Sequence, residues 1–428
     1  MIVRNAFWAT LTVACLVAGS TTAASKSTSK TPLKTNPATA SLWTGTWGTA
    51  PQLVEPNNKP PQPGLTNNTL RQIVRVSIGG ETLRLRFCND FGKSPVTLNE
   101  VSIAAAKDGW QIDPASLKTL SFGKKHSVTI APDSEVYSDP IRFTLTRGSR
   151  LTITLRFGAT SDEVTGHPGS RTTSYILAGN AADTADFSQA VKTDHWYIVQ
   201  GIDVLTPKTA GCIVALGNSI TDGRGSGTNR QNRWTDILSE RLLKNPATSQ
   251  LGVLNMGIGG NCVVRGGLGP TALSRFKRDV LSQSNVKWLI LLEGINDLGS
   301  TRDAQASART AQELIRAYTK MIDQAHAKGI KVYGVPILPF EKSFYDADHR
   351  QAARDTVNAW IRHSGKFDAV IDLDPVMGRA DNPRMLREEL HSGDLLHPNE
   401  AGYKVMGEAI DLNLFTQRPT VQKRAVRK

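Results

Sequence analysis

Cysteine is scarce: the chain has four in 428 residues, and one of them, Cys15, lies inside a strongly apolar run near the start. The remaining three, Cys88, Cys212 and Cys262, are too few for a disulfide scaffold. They allow at most one intrachain bridge, and spacing does not choose among the three pairs, Cys212 with Cys262 included. No two cysteines have C-x-x-C spacing, and the H-x-x-H and H-E-x-x-H patterns of zinc hydrolases are absent. No apolar run beyond the N-terminal one approaches membrane-spanning length, which excludes a polytopic membrane protein. RNA-binding, zinc-finger and helix-turn-helix signatures are missing, as are internal repeats. With 39% hydrophobic and 21% charged residues, the chain is neither collagen-like, coiled-coil nor mostly disordered. Its length suits two globular units.

Arg4, the apolar stretch Phe7 to Ala18 and the small residues Gly19 to Ala24 have the layout of a secretory signal peptide cut near Ala24. The expected location is therefore secreted or periplasmic. A lipoprotein signal at Val13-Ala14-Cys15 fits less well, because the apolar run continues past the cysteine. Residues 25–40, rich in Ser, Thr, Lys and Pro, read as a flexible linker. Removing residues 1–24 takes away one cation and no acid, so the formal charge becomes 13 − 1 = +12. A basic surface concentrates polyanions near it. The cations are scattered, however, and cluster only in the basic tail, residues 417–428. Neither a nucleic-acid partner nor stable membrane insertion of the processed chain is expected; oligomeric state is not legible.

Two halves follow, with different periods. Between Leu42 and Leu205 apolar residues alternate with polar ones. Val74, Val76 and Ile78 lead through Gly79-Gly80 into Leu83, Leu85 and Phe87, which predicts a β-hairpin. Ile141, Phe143 and Leu145 lead through Arg147-Gly148-Ser149 into Leu151, Ile153, Leu155 and Phe157, a second hairpin. Residues 41–206 are expected to form a β-sandwich or jelly roll as an accessory domain. Beyond Pro207 short apolar runs alternate with helical patterns. The runs are Ile213 to Leu216, Leu251 to Met256, Trp288 to Leu292, Val332 to Ile337 and Ala369 to Leu373. Helices are predicted at Trp234 to Leu243 and Ala304 to Lys328, with Gly329 as a stop. This alternation predicts a parallel sheet covered on both faces, a three-layer α/β/α sandwich, over residues 207–416. In such folds reactive groups sit in loops after the strands' carboxyl ends.

The first of those loops reads Gly217-Asn218-Ser219-Ile220 and the last Asp394-Leu395-Leu396-His397-Pro398. A serine hydroxyl needs a base, and an imidazole needs a carboxylate on its other nitrogen to fix its tautomer. Asp394 and His397, three residues apart in a turn, supply both; His391 is a nearby competitor. Alone, the serine reads as a cap and the D-x-x-H as a surface pair. The G-x-S-x-G elbow of α/β-hydrolases is absent. The second and third loops, Gly257-Ile258-Gly259-Gly260-Asn261 and Glu293-Gly294-Ile295-Asn296-Asp297, offer a glycine N–H and an asparagine amide suited to an oxyanion.

Four blocks in this order resemble the SGNH hydrolases, the GDSL esterase/lipase superfamily, over roughly Cys212 to Leu412. The resemblance implies Ser219 as nucleophile, Asp394 and His397 as its partners, and an oxyanion hole from Ser219, Gly260 and Asn296. It also implies that no metal or organic cofactor is needed. Asn218 stands where the family name has Asp; altered local hydrogen bonding is expected, with activity retained. A β-rich module before such a domain in an exported chain resembles the xylan-associated arylesterase/acylhydrolase group of carbohydrate esterases. That implies removal of acetyl or other small acyl groups from acylated polysaccharide or small esters, with the sandwich binding glycan or walling the cleft. Trp43, Trp47 and Trp110 could stack on sugars, although burial in the sandwich core is the commoner fate of such residues. Two other functions fit the sequence. One is a lysophospholipase, thioesterase or broad arylesterase; the other is a glycan-binding protein that keeps the scaffold without catalysis.

Overall fold

The structure, a computed structural model, describes residues 41–181 and 186–416. The expected signal peptide, linker and basic tail lie outside those residues. The described residues belong to one compact unit. Among them no helix is long and apolar enough to cross a membrane.

The N-terminal part is a sandwich of two antiparallel sheets. One contains Ser41–Gly48, Val199–Pro207, Gly80–Cys88, Glu135–Tyr137 and Ile141–Leu145; the other is built around Thr69–Arg75, Arg150–Phe157 and Val96–Ala105. Alternation drives this arrangement: Leu83, Leu85 and Phe87 from one sheet and Leu70, Val101, Ile103, Leu151, Ile153 and Leu155 from the other share one buried core. The sandwich expectation holds, but both predicted hairpins are corrected. Thr69–Arg75 pairs with Arg150–Phe157, while Gly80–Cys88 pairs with Val199–Pro207 and Ile141–Leu145. Each supposed hairpin therefore crosses from one sheet to the other. The two corners press together at Gly79, where a Cβ would lie 2.2 Å from the Leu145 carbonyl oxygen, so only glycine fits.

The C-terminal part is a five-stranded parallel sheet in the order Leu251–Gly257, Gly211–Gly217, Val286–Leu292, Lys331–Gly334 and Ala369–Val370. Its strands are apolar on both sides. Val214, Leu216, Leu254, Leu289 and Leu291 pack against the helices Ala304–His326 and Asp348–His363. Ile213, Ala215, Val253, Ile290 and Leu292 pack against Trp234–Lys244 and Glu400–Ala409. This is the expected three-layer α/β/α fold. Two strands are shorter than their apolar runs. Beyond Gly334 the chain turns to the helix Asp348–His363, whose Asn358 side chain accepts from the Ile337 N–H at 2.8 Å and donates to its carbonyl at 2.9 Å. That replaces ladder bonds.

The sandwich covers the sheet edge presented by Leu251–Gly257. Ser77 Oγ accepts from the Val253 N–H at 3.0 Å, the Gly45 N–H donates to the Ser284 carbonyl at 3.1 Å, and Arg278 reaches Asp90 at 3.1 Å and the Pro51 carbonyl at 2.8 Å. Pairing an exposed edge this way removes a template for aggregation. Cys88, Cys212 and Cys262 are all buried free thiols, so Cys212 and Cys262 do not pair.

Candidate active site

The strand Gly211–Gly217 lies between its two parallel neighbours, where the strand order reverses and a crevice opens at the carboxyl ends. Immediately after it Asn218 caps a single helical turn, its Oδ1 accepting from the Ile220 N–H at 3.0 Å. Ser219 is the first residue of that turn, so its own N–H is one that a helix leaves unsatisfied. Its Oγ sits 2.9 Å from His397 Nε2 although 178 residues separate them. His397 Nδ1 is 2.6 Å from Asp394 Oδ2. The D-x-x-H turn closes on itself: Asp394 Oδ1 also accepts from the backbone N–H groups of Leu396 and His397, and Leu395 between them adopts left-handed backbone (φ 56). Such strain persists where neighbouring bonds over-determine it. His391 is not the partner of Ser219; its Nδ1 instead accepts from the Gly393 N–H at 3.0 Å.

Burial opposes the charge of Asp394, but the His397 backbone N–H and ring and the Leu396 N–H outweigh it, and the carboxyl is held down to about 2. Burial lowers the His397 pKa, Asp394 raises it, and Arg224 and Arg171 lower it again; the net direction is downward. The imidazole is thus neutral with its Nε2 facing a hydroxyl and Nδ1–H facing a carboxylate, the arrangement a general base requires.

Gly260 and Asn296 come to the same place. With Ser219 and His397 they line one cleft of about 350 Å³. Asn296 Nδ2 donates one hydrogen to the Asn261 carbonyl at 2.8 Å, and its Oδ1 accepts from Tyr345 Oη at 3.0 Å. Its orientation is therefore fixed, with a second amide hydrogen remaining. Behind this loop the fully buried Arg275 donates to the carbonyls of Gly217 and Met256 and to Asn261 Oδ1, tying two strand ends to the loop that carries Gly260. All five predicted site residues are brought together.

Other residues of the site carry no sequence signal. The sandwich supplies Gln52, Glu55, Asn58, Arg171 and His195 to the cleft wall. It also reaches behind the nucleophile: His167 Nε2 is 2.8 Å from Asp222 Oδ1, and His167 Nδ1 is 2.9 Å from the Ala50 carbonyl. Both groups are almost fully buried, with side-chain exposures of 5% and 4%. Asp222 ends the helical turn that Ser219 begins. Next to it, Gly169 leaves no room for a side chain, since a Cβ there would lie 1.9 Å from Asp222 Oδ2. Trp47 and Trp196 lie in the sandwich core, edge to face at 5.0 Å, and neither they nor Trp43, Trp110 or Tyr137 line the cleft.

Asn218, the departure from the family's Asp, has a partner that explains it. Its Nδ2 donates at 3.1 Å to Glu293 Oε2, which also accepts from the Gly294 N–H. Complete burial pushes the Glu293 carboxyl up to about 8, against the pull of Arg275. An aspartate at 218 would set a second carboxylate against it. Because the folded pKa lies above the ordinary 4.5, the native state holds a proton that the unfolded chain releases, and stability falls as pH rises from about 4.5 to about 8. Glu293→Gln is therefore expected to flatten the decline of Tm that the parent should show between about pH 4.5 and about pH 8, each pH unit in the window being worth up to about 1.4 kcal/mol. Parallel Tm curves for both proteins would show that Glu293 does not carry the proton.

Part of the chain is similar to known proteins. Residues 215–405 match the family described as GDSL-like Lipase/Acylhydrolase. No curated protein matches the chain. Among solved structures, a G-D-S-L family protein from Desulfitobacterium hafniense DCB-2 is 23% identical, covering 46% of this chain and 96% of its own, with a TM-score of 0.36. A Bacteroides fragilis NCTC 9343 protein described as an acylhydrolase is 21% identical over 48% of this chain and 88% of its own, with a TM-score of 0.36. The acetyl xylan esterase AlAXEase is 20% identical over 46% of this chain and 96% of its own, with a TM-score of 0.35. The matched stretch, residues 215–405, contains Ser219, Gly260, Asn296, Asp394 and His397, and its family is the one that the four sequence blocks resemble.

Proposed function

We propose that this protein is an exported serine esterase that removes acetyl or other small acyl groups, on polysaccharide in its natural setting, through a Ser219–His397–Asp394 acyl-enzyme mechanism. The observation that carries this reading is the pair of contacts, 2.9 Å from Ser219 Oγ to His397 Nε2 and 2.6 Å from His397 Nδ1 to Asp394, at a cleft of about 350 Å³. His397 takes the hydroxyl proton as Ser219 Oγ bonds to the ester carbonyl carbon. The charge that develops on the carbonyl oxygen is met by the N–H groups of Ser219 and Gly260 and by the free amide hydrogen of Asn296. When the tetrahedral species collapses, the bond to the alcohol oxygen breaks and that oxygen takes the proton from His397. Water, deprotonated by the same imidazole, then attacks the acyl-serine and releases the acid.

Small acyl groups suit a cleft of that size with Gln52, Glu55, Asn58 and His195 on its wall. Export is supported by Arg4 and the apolar stretch Phe7 to Ala18. One observation favours a second reading, hydrolysis of longer acyl chains: Leu268 and Phe344 line the cleft with 48% and 65% of their surface exposed. Two measurements test the assignment. A serine-directed organophosphate is expected to inactivate the enzyme with one equivalent bound at Ser219, identified by peptide mass spectrometry. Matched acetyl, octanoyl and lysophospholipid esters are expected to be cleaved in that order of kcat/KM. A preference for the long chains would replace the acetylesterase reading with the second one. Labelling elsewhere would refute the nucleophile.

A further inference from the structure

We propose that Arg171 and Arg224 form an anion-reading subsite beside the catalytic imidazole, so that the ester cleaved at Ser219 carries a carboxylate or phosphate on its alcohol half. The proposal rests on the esterase reading of the site and names its substrate class.

Both arginines line the Ser219 cleft, and they arrive from different parts of the chain. Arg171 belongs to the sandwich segment that follows Thr165–His167. It adopts left-handed backbone (φ 50), and its carbonyl is held by the Asn229 N–H at 2.9 Å. Arg224 follows the nucleophile's helical turn. Its N–H donates to the Ser219 carbonyl at 2.9 Å, and its carbonyl accepts from Tyr403 Oη at 2.6 Å. Each backbone is thus fixed while the guanidinium is presented to the cleft.

What distinguishes the pair is that both lie in the catalytic cleft without a counter-charge. Many arginines elsewhere are matched to carboxylates, as Arg84 is to Asp203, Arg362 to Asp372 and Asp374, and Arg278 to Asp90 and Asp279, while Arg241 and Arg350 are instead bonded to backbone carbonyls. Among the described residues no carboxylate lies within ion-pair distance of Arg171 or Arg224, and Arg171 Nε is buried with no hydrogen-bond partner. The carboxylates that could answer them are already engaged. Asp394 bonds His397, Asp222 bonds His167, and Glu55 accepts from Gln52 at 2.6 Å and Asn58 at 3.1 Å. A guanidinium left with an unfilled buried donor is costly unless a ligand completes it.

The placement also has a chemical cost that a neutral substrate would not offset. Arg224 and Arg171 both act on His397 in the direction that weakens it as a base. An anion bound between them cancels that field only when the correct substrate is present, which couples recognition to the strength of the base. The side on which they lie assigns the charge to one half of the ester. His397 delivers its proton to the leaving oxygen, so groups beside the imidazole face the alcohol. The apolar Leu268, by contrast, stands beside Gly260, where an added Cβ would meet it at 3.1 Å. That is the oxyanion side.

The test compares three soluble acetate esters of similar size: a neutral methyl glycoside, the corresponding uronate, and glycerol phosphate. At low salt kcat/KM for at least one charged ester is expected to exceed that for the neutral ester by at least about tenfold, chiefly through KM, and the advantage should shrink as salt rises. Whichever charged ester leads identifies carboxylate or phosphate as the group read. Arg171→Gln and Arg224→Gln are each expected to move the charged-to-neutral ratio toward one and to shift the acid limb of the pH profile upward. Should either variant misfold, protection of Ser219 from the organophosphate reagent by free glucuronate or inorganic phosphate, with glucose as control, reads the same subsite in the parent protein. Equal kcat/KM for all three esters, or equal protection by glucose, would overturn the charge-reading subsite and leave the esterase reading standing. Absence of hydrolysis of every ester together with failure to label Ser219 would overturn both.

Discussion

Ser219→Ala is expected to lower kcat for acetyl esters by about 10⁵- to 10⁶-fold while leaving Tm within a degree or so of the parent, the size of effect that follows removal of an activated serine. The fold should tolerate it because among the described residues the only side-chain hydrogen bond of Ser219 Oγ goes to His397, and the turn is held instead by the Asn218 cap and the Asp222 N–H to the Asn218 carbonyl at 2.8 Å. His397→Ala should cost nearly as much, and the double variant little more than either alone, because the two groups act as one unit. The same pair sets the pH profile. Catalysis needs neutral His397, whose pKa burial lowers from 6.5, so activity is retained as pH falls past 6.5 and is lost only below it. An acid limb in kcat/KM centred above 6.5 would mean that another group limits the reaction. Comparable hydrolysis by Ser219→Ala would remove the serine mechanism altogether.

The parts of this site that could be read from the sequence are those held by local geometry or by a rule of the fold. Asp394 and His397 are three residues apart in one turn. Ser219, Gly260 and Asn296 each follow an apolar strand, and a parallel sheet gathers the ends of its strands on one rim. The parts that could not be read depend on contacts between distant segments. Nothing in the local sequence around Thr165–His167 says that His167 meets a carboxylate 55 residues later in the other half of the chain. Arg171 and Arg275 look like any other scattered cation until their surroundings are known. The Gly79 corner shows why the sequence suggests hairpins where the chain crosses between sheets. Period 2 on both sides of a glycine pair is common to a hairpin and to a crossing between sheets. What separates them is that Val76, Ser77 and Ile78 are all buried, so the segment passes under cover rather than turning at an edge. Ser77 is polar, and its burial is explained only by its bonds to the Thr46 carbonyl and the Val253 N–H.

His167→Ala is expected to destabilise the protein by about 3–5 kcal/mol, the cost of stranding one partner of a buried ion pair. Both nitrogens of His167 lie within hydrogen-bond distance of oxygens, Asp222 at 2.8 Å and the Ala50 carbonyl at 2.9 Å, so the substitution takes two buried contacts away at once. Without it Asp222 has no other side-chain partner among the described residues, in a site that Gly169 closes from above. The carboxylate must then turn toward water, and it does so at the end of the four-residue turn Ser219–Asp222. A shift of the nucleophile by about 1 Å costs roughly 10²-fold in rate, so kcat should fall by one to two orders of magnitude even though His167 touches no reacting atom. Asp222→Asn removes the charge but keeps an acceptor for the ring, and should be milder on both counts. The discriminating measurement is the double variant. If the penalty comes from the stranded charge, His167→Ala with Asp222→Asn will be more stable in urea than His167→Ala alone, a coupling whose sign a simple cavity cannot produce. If the second substitution instead adds its own cost, or if His167→Ala keeps kcat, the sandwich walls the cleft without positioning the serine.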